Sequence, residues 1–257
     1  MLRLFTKLMR ASLGESKFAA MKGTPLVLLH GYPFDHTMWE KVVATFEADR
    51  RFLAPDLRGF GVEPGQAEPS LELMADDVAQ QLPGEAVIAG FSMGGYVALA
   101  LAEKHPELVA GLALINSQAA ADTDEARLGR RAMIEKVRKE GTGAATDAAI
   151  PKLFANPRAE LSRYALNGAE RAGVAGIGWV LEAMARRPDR TDVLRQLRKP
   201  ILIVHSTDDK FIPATRAREL AANLKAKYVE IEGAGHGTPL EAPDKVALAI
   251  KDFADGH

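Results

Sequence analysis

The chain has no cysteine in 257 residues. That excludes disulfides, a thiolate nucleophile and cysteine-based metal sites, and it fits a reducing, cytoplasmic compartment. Charge of either sign is not in excess: 33 Lys and Arg face 34 Asp and Glu, for a net charge of −1. A general nucleic-acid or membrane-surface role is therefore not expected. No apolar run approaches the length of a membrane span. Internal repeats and low-complexity tracts are also missing. What remains is an ordinary globular composition, 47% apolar and 26% charged, in a chain long enough to bury a large core.

The first 20 residues are basic and poor in acids, with Arg3, Lys7 and Arg10 among Leu2, Leu4, Phe5 and Leu8. A segment packed on the body of the protein is expected there, with a transit peptide as the alternative. Beyond it, apolar runs of strand length alternate with helical spacing. Strands are predicted at 25–29, 51–56, 86–89 and 109–115, and helices at 38–48, 70–82 and 95–102. Ser70 is the expected cap of the second helix. The rhythm implies an α/β fold: a mostly parallel central sheet with helices on both faces.

Between Gln118 and Arg198 the rhythm stops. Three to five helices are predicted there, punctuated by Gly141, Asn156-Pro157, the glycines from Gly168 to Gly178, and Pro188. Strands resume at 200–205 and 227–231, with helices at 213–224 and 243–253. The sequence thus divides into a core, 1–118 with 199–257, and a helical insertion, 119–198. No cofactor or metal set is apparent.

The chemistry centres on Gly90-Phe91-Ser92-Met93-Gly94. With 22 Gly and 7 Ser in the chain, this G-x-S-x-G pattern would arise by chance roughly 0.05 times. It lies between a predicted strand and a predicted helix, the context of a nucleophile elbow. A serine hydroxyl needs a base, and the base needs an orienting group. Of six histidines, His236 lies in a Gly-rich loop directly after the last strand, where sites form in open α/β sheets. His30 is expected to brace its loop, and His205 to be packed. The acid should follow another strand, between Ser and His in chain order. Asp209 is favoured, with Asp208 as the alternative. The backbone N–H groups of Met93 and Tyr32 are placed to hold an oxyanion. Phe34 and Trp179 are candidates to line a substrate pocket.

Taken together, Gly90–Gly95, His30-Gly31-Tyr32-Pro33, Asp56-Leu57-Arg58-Gly59-Phe60-Gly61, Ser206–Pro213 and Gly233-Ala234-Gly235-His236 resemble the signature segments of the α/β-hydrolase family, in that family's order. Within it the chain is most similar to small carboxylesterases, enol-lactonases and perhydrolase-like enzymes. The resemblance implies that 119–198 is a cap and that Asp209 is the acid. Because a serine rather than an aspartate stands at the elbow, it implies acyl chemistry rather than dehalogenation or epoxide opening. Three positions depart from the pattern. Ser206 replaces a usual Gly, Glu63 replaces a frequent Ser, and no antiparallel strand pair is evident before the first core strand.

The function implied is hydrolysis of a small ester or lactone through an acyl-enzyme on Ser92, without a cofactor. Alternatives are a carrier-protein methyl-ester or thioester hydrolase, a carbon–carbon bond hydrolase or hydroxynitrile lyase, and a non-catalytic binding protein of the same fold. The insertion carries four more basic than acidic residues between 120 and 198 (12 Arg and 3 Lys against 11 acids). That surplus suits an anionic substrate or acidic carrier, or simply a solvated surface.

Overall fold

The computed structural model describes residues 22–46, 50–62 and 64–256. The basic N-terminal segment, Glu63 and His257 lie outside the described residues. In chain order the elements are β1 (Lys22–Leu29), a 3-10 turn (His36–Trp39), α1 (Glu40–Val43), β2 (Arg50–Leu53), α2 (Leu71–Ala79), β3 (Ala86–Phe91), α3 (Met93–Lys104) and β4 (Val109–Ile115). Then follow α4 (Asp124–Glu140), α5 (Gly143–Leu153), α6 (Ala159–Arg186) and α7 (Thr191–Gln196). The chain closes with β5 (Ile201–Ser206), α8 (Ala214–Leu224), β6 (Lys227–Ile231), α9 (Thr238–Glu241) and α10 (Pro243–Ala254).

The six strands form one sheet in the order β2-β1-β3-β4-β5-β6. All of its pairings are parallel. Parallel strands covered on both faces need apolar side chains on both, and β3 is buried at every position. Alternation assigns the faces. Val27, Leu29, Ile88 and Leu112 pack with α2 and α3, whereas Leu26, Leu28, Val87 and Ala113 pack with Met38, Trp39 and α10. Ser70 caps α2 as expected: its hydroxyl accepts from Glu72 N and Leu73 N, an arrangement worth about 1 kcal/mol.

Two expectations need correction. Over the described residues 38–46 of the helix predicted at 38–48 there is a 3-10 turn and one turn of α1; residues 47 and 48 lie outside the described residues. Met38, Trp39 and Val42 are buried, but the residues after Val43 form a turn in which the Thr45 hydroxyl donates to Val42 O at 2.7 Å. A β-branched hydroxyl residue that bonds back to the main chain does not favour propagation. The second correction concerns Gly168–Gly178. These glycines lie within the 28-residue α6, and only Gly173 leaves helical geometry (φ 64°, ψ 177°). Gly168 and Gly176 are contact points. A Cβ on either would come within 2.2 Å of Pro33 O or 2.3 Å of Gly59 O. They let α6 lie directly on two core loops.

Arg171 on the same helix fixes that contact. Its guanidinium reaches Asp35 Oδ2 at 2.8 Å and Asp56 Oδ2 at 3.0 Å. Asp56 Oδ1 in turn accepts from His36 N at 3.0 Å and pairs with His36 Nδ1 at 2.7 Å. Burial pushes the Asp56 carboxyl up, but the His36 hydrogen bonds outweigh it, and the group sits below its ordinary range. The hydrogen bond to Asp56 holds His36 above its ordinary value.

Candidate active site

Ser92 sits between β3 and α3 with φ 50° and ψ −113°. A non-glycine residue at positive φ is strained, and the surroundings must hold it there. They do so through the main chain. Ser92 N donates to Ile115 O at 2.9 Å, and Ser92 O accepts from Gly95 N at 2.9 Å and from Ser117 Oγ at 2.8 Å. The glycines permit the close approach this needs. A Cβ on Gly90 would lie 2.3 Å from Gly94 O, one on Gly94 would lie 2.1 Å from Leu29 O, and one on Gly95 would lie 2.2 Å from Ser117 Oγ.

His236 follows β6 in a buried loop. Its Nε2 is 2.8 Å from Ser92 Oγ, and its Nδ1 is 2.7 Å from Asp209 Oδ2. Two aromatic rings flank the imidazole, Phe91 at 5.2 Å and Phe211 at 4.9 Å between centroids. Asp209 follows β5. Its Oδ1 accepts from Phe211 N at 2.8 Å and Ile212 N at 2.9 Å, and its Oδ2 also accepts from Asn116 Nδ2 at 2.9 Å. Burial alone would raise its pKa. The charge of His236 and these hydrogen bonds reverse that and bring it down to about 2. The carboxylate is therefore ionised across the neutral range, and it selects the tautomer with the proton on Nδ1. Nε2 is then free to accept from Ser92.

The neighbouring Asp208 is exposed; its carboxylate accepts from Thr207 Oγ1 at 3.0 Å, and its main-chain N donates to Ala234 O at 3.1 Å. The structure thus brings Ser92, His236 and Asp209 together and leaves Asp208 outside. His205 is fully buried behind Asp209, with its Nε2 donating to Ile212 O at 2.9 Å. Burial lowers its pKa. His30 accepts from Leu57 N through Nε2 at 2.9 Å and holds the loop after β1 against the loop after β2.

Tyr32 lies on that loop, beside Ser92 and His236 in one cleft of about 510 Å3. Neither Tyr32 N nor Met93 N donates to another group among the described residues. Met93 begins α3, where helix N–H groups are unpaired in any case.

Two candidates for the pocket wall are not brought to the cleft. Phe34 is fully buried and packs on Phe91, 6.1 Å between centroids. The turn Gly31–Phe34, closed by Phe34 N to Gly31 O at 2.9 Å, directs it back into the core. Trp179 faces a different groove, with Pro69, Ile134 and Arg138. Its Nε1 donates to Ala67 O at 2.9 Å. Seating Gly176 on Gly59 turns the Trp179 side of α6 toward the 64–69 loop and leaves Met184 to reach the cleft.

Several site residues were not evident from sequence. Asn116, at φ 44° after β4, bonds Asp209 and also donates to Ser206 Oγ at 2.7 Å. Ser206 donates onward to Gly235 O at 2.6 Å, so the departure from Gly at 206 ties the acid turn to the histidine loop. Glu241 binds Gly235 N at 2.7 Å and Ala155 N at 3.0 Å, fastening the insertion to the same loop. Only the position of Asn116 and Phe211, each just beyond a strand end or acid turn, could have signalled them.

Among the described residues, Asp35, His36 and Asp56 form a cluster with metal-ligand atoms within 4.8 Å of one another. Its carboxylates already answer Arg171, and the cluster is not part of the cleft.

A doubly covered parallel sheet with a serine at a strained strand–helix elbow, facing a histidine and an aspartate, defines an α/β-hydrolase architecture. A family model described as the alpha/beta hydrolase family matches residues 26–249, and the chain belongs to that family. Among curated relatives, it is 31% identical to the pimeloyl-acyl-carrier-protein methyl ester esterase of Aromatoleum aromaticum, covering 92% of this chain and 100% of that protein. Among solved structures, a malate-bound thermophilic esterase from Thermogutta terrifontis is 36% identical with a TM-score of 0.85, covering 91% of this chain and 90% of the other. The enol-lactonase of Burkholderia xenovorans LB400 is 27% identical with a TM-score of 0.76, covering 90% and 91%. No helix among the described residues is long and apolar enough to cross a membrane.

Proposed function

We propose that the protein is a serine hydrolase of small carboxylic esters or lactones, with Ser92, His236 and Asp209 as its triad. The observation that carries this is the hydrogen-bonded chain from Ser92 Oγ through both nitrogens of His236 to an ionised Asp209. His236 Nε2 takes the Ser92 proton as Oγ attacks the substrate carbonyl. The N–H groups of Tyr32 and Met93 receive the oxyanion; both are backbone donors without a competing acceptor. The ester C–O bond breaks, and the departing alcohol oxygen takes the proton from His236. Water then repeats the sequence on the acyl-enzyme, with His236 as base.

The relatives' names support an ester substrate, since both an esterase and a lactonase share the fold across most of their length. A second reading, methyl-ester cleavage on a carrier-bound acyl chain, draws on the relative so named and on Arg216, which is exposed on the cleft without an ion pair among the described residues. Part of the basic surplus of the insertion is answered by acids of the core: Arg171 pairs with Asp35 and Asp56, Arg186 with Glu68, and Arg190 with Glu72 and Glu103. Within the insertion Asp122 is shared by Arg130 and Arg187, and Glu182 by Arg131 and Arg186. The test is hydrolysis of short p-nitrophenyl acyl esters by wild type and Ser92→Ala. Activity confined to wild type is expected, and equal activity in both would refute the triad.

A further inference from the structure

The cleft holds polar groups that ester cleavage does not use. Tyr32, Tyr96, Asp122, Arg130 and Met184 line it together with Ser92 and His236. Asp122 is buried between two guanidinium groups, with Arg130 Nε at 2.5 Å and Arg187 Nη1 at 2.7 Å. Arg187 is itself buried, 4.0 Å above the Tyr96 ring, and its remaining contacts are to Met184 O and Ala120 O, each at 3.1 Å. One carboxylate therefore answers two fixed cations, and the cluster carries one surplus positive charge. Two further charged residues line the cleft, Glu125 and Arg216; they are exposed and of opposite sign.

The surplus has an outlet. Among the described residues Arg130 Nη1 has only Met184 Sδ, at 3.5 Å, as a partner, and a thioether is a weak acceptor. The Tyr32 hydroxyl is buried with no hydrogen-bond partner among the described residues. Burial raises its pKa, with partial relief from Arg130, so it is a neutral donor at physiological pH. An unsatisfied buried hydroxyl and an under-satisfied guanidinium edge on one cleft call for an acceptor that also carries charge. A neutral carbonyl would satisfy the phenol and leave the cation unanswered. A carboxylate supplies both, with one negative charge against one surplus positive charge.

We propose that this part of the cleft is a subsite for a substrate carboxylate. On this account the preferred substrates carry a free carboxylate in addition to the ester or lactone, as half-esters of dicarboxylic acids do. The proposal rests on the serine-hydrolase reading and narrows its substrate class.

The test compares monomethyl and dimethyl esters of succinate, glutarate and adipate. Each pair differs by one methyl in place of one charge. The readout is the ratio of kcat/KM for the monoester to that for the diester, in wild type, Arg130→Gln, Arg130→Lys and Tyr32→Phe. A charge-assisted contact predicts that Arg130→Gln lowers the ratio roughly ten- to hundredfold for the best chain length, with Arg130→Lys intermediate. Tyr32→Phe should lower it several-fold. Arg130→Gln leaves Asp122 paired one-to-one with Arg187, and Tyr32→Phe removes a hydroxyl that has no partner to lose. Both substitutions therefore test recognition rather than folding. An unchanged ratio in Arg130→Gln and Tyr32→Phe, with the diesters still hydrolysed, overturns the subsite. Absence of hydrolysis of every ester by wild type, with no labelling of Ser92 by a fluorophosphonate, overturns the hydrolase reading instead.

Discussion

Replacing Asp209 by Asn keeps the shape of the side chain and removes its charge, and two separable effects should follow. The first is on chemistry. The carboxylate accepts from four donors: His236 Nδ1 and Asn116 Nδ2 at Oδ2, and Phe211 N and Ile212 N at Oδ1. An amide has one oxygen. If that oxygen stays with the two main-chain N–H groups, the NH2 faces His236 and forces the proton onto Nε2. His236 then cannot accept from Ser92, and kcat/KM should fall by roughly 10⁴.

The second effect is on stability. The carboxyl is lowered from 3.8 to about 2, a difference worth roughly 2 kcal/mol in a fully buried group. A depressed pKa contributes stability that is present above the unfolded value and lost as pH falls through the folded one. The variant should therefore be less stable than wild type near pH 7, by about 2 kcal/mol, and the gap should narrow toward about pH 2. Hydrolysis of a p-nitrophenyl ester and urea unfolding at several pH values measure the two. Activity of the variant within tenfold of wild type would refute the tautomer argument. Asp208→Asn, which alters an exposed side chain, is the control and should leave both quantities near wild type.

Two further outcomes are expected. Gly94→Ala should prevent soluble folding or cost more than about 3 kcal/mol, because its Cβ would sit 2.1 Å from the Leu29 carbonyl; a melting temperature near that of wild type would show that the elbow can relax. His36→Phe should alter the pH dependence of stability. The raised pKa of His36 gives a contribution that is complete below its ordinary 6.5 and lost as pH rises through the folded value. The wild type should lose stability as pH rises above 6.5 more than the variant does, as read by thermal melts, and parallel curves would refute the Asp56 pairing as a stabilising contact.

The centre of the sheet was legible because its strands are buried on both faces and so appear as apolar runs, Leu26–Leu29 and Ile201–Val204 among them, whereas the edge strands β2 and β6 carry exposed or half-exposed positions. The residues meeting at Ser92 were legible for a related reason. Each follows a strand, and a parallel sheet brings all such ends to one edge. The walls of the cleft were not legible, because they depend on how α4 and α6 rest on the core. Gly168 and Gly176 illustrate the difficulty. In sequence they read as helix punctuation, whereas in the fold they are places where backbone meets backbone. Phe34 is a candidate by its position near the oxyanion donors and Trp179 by its place in the Gly-rich part of the insertion, but a single turn and the rotation of α6 direct them elsewhere. Arg130 and Arg187 contributed only to a charge count until Asp122 was seen between them.

The central claim is that Ser92 is an activated nucleophile, and covalent labelling tests it most directly. Wild-type protein treated with a fluorophosphonate should gain the mass of one adduct, located by peptide mapping on the segment containing Ser92. Ser92→Ala should gain none, and His236→Ala should react far more slowly. An adduct elsewhere on the chain, or equal labelling of wild type and Ser92→Ala, would contradict the account.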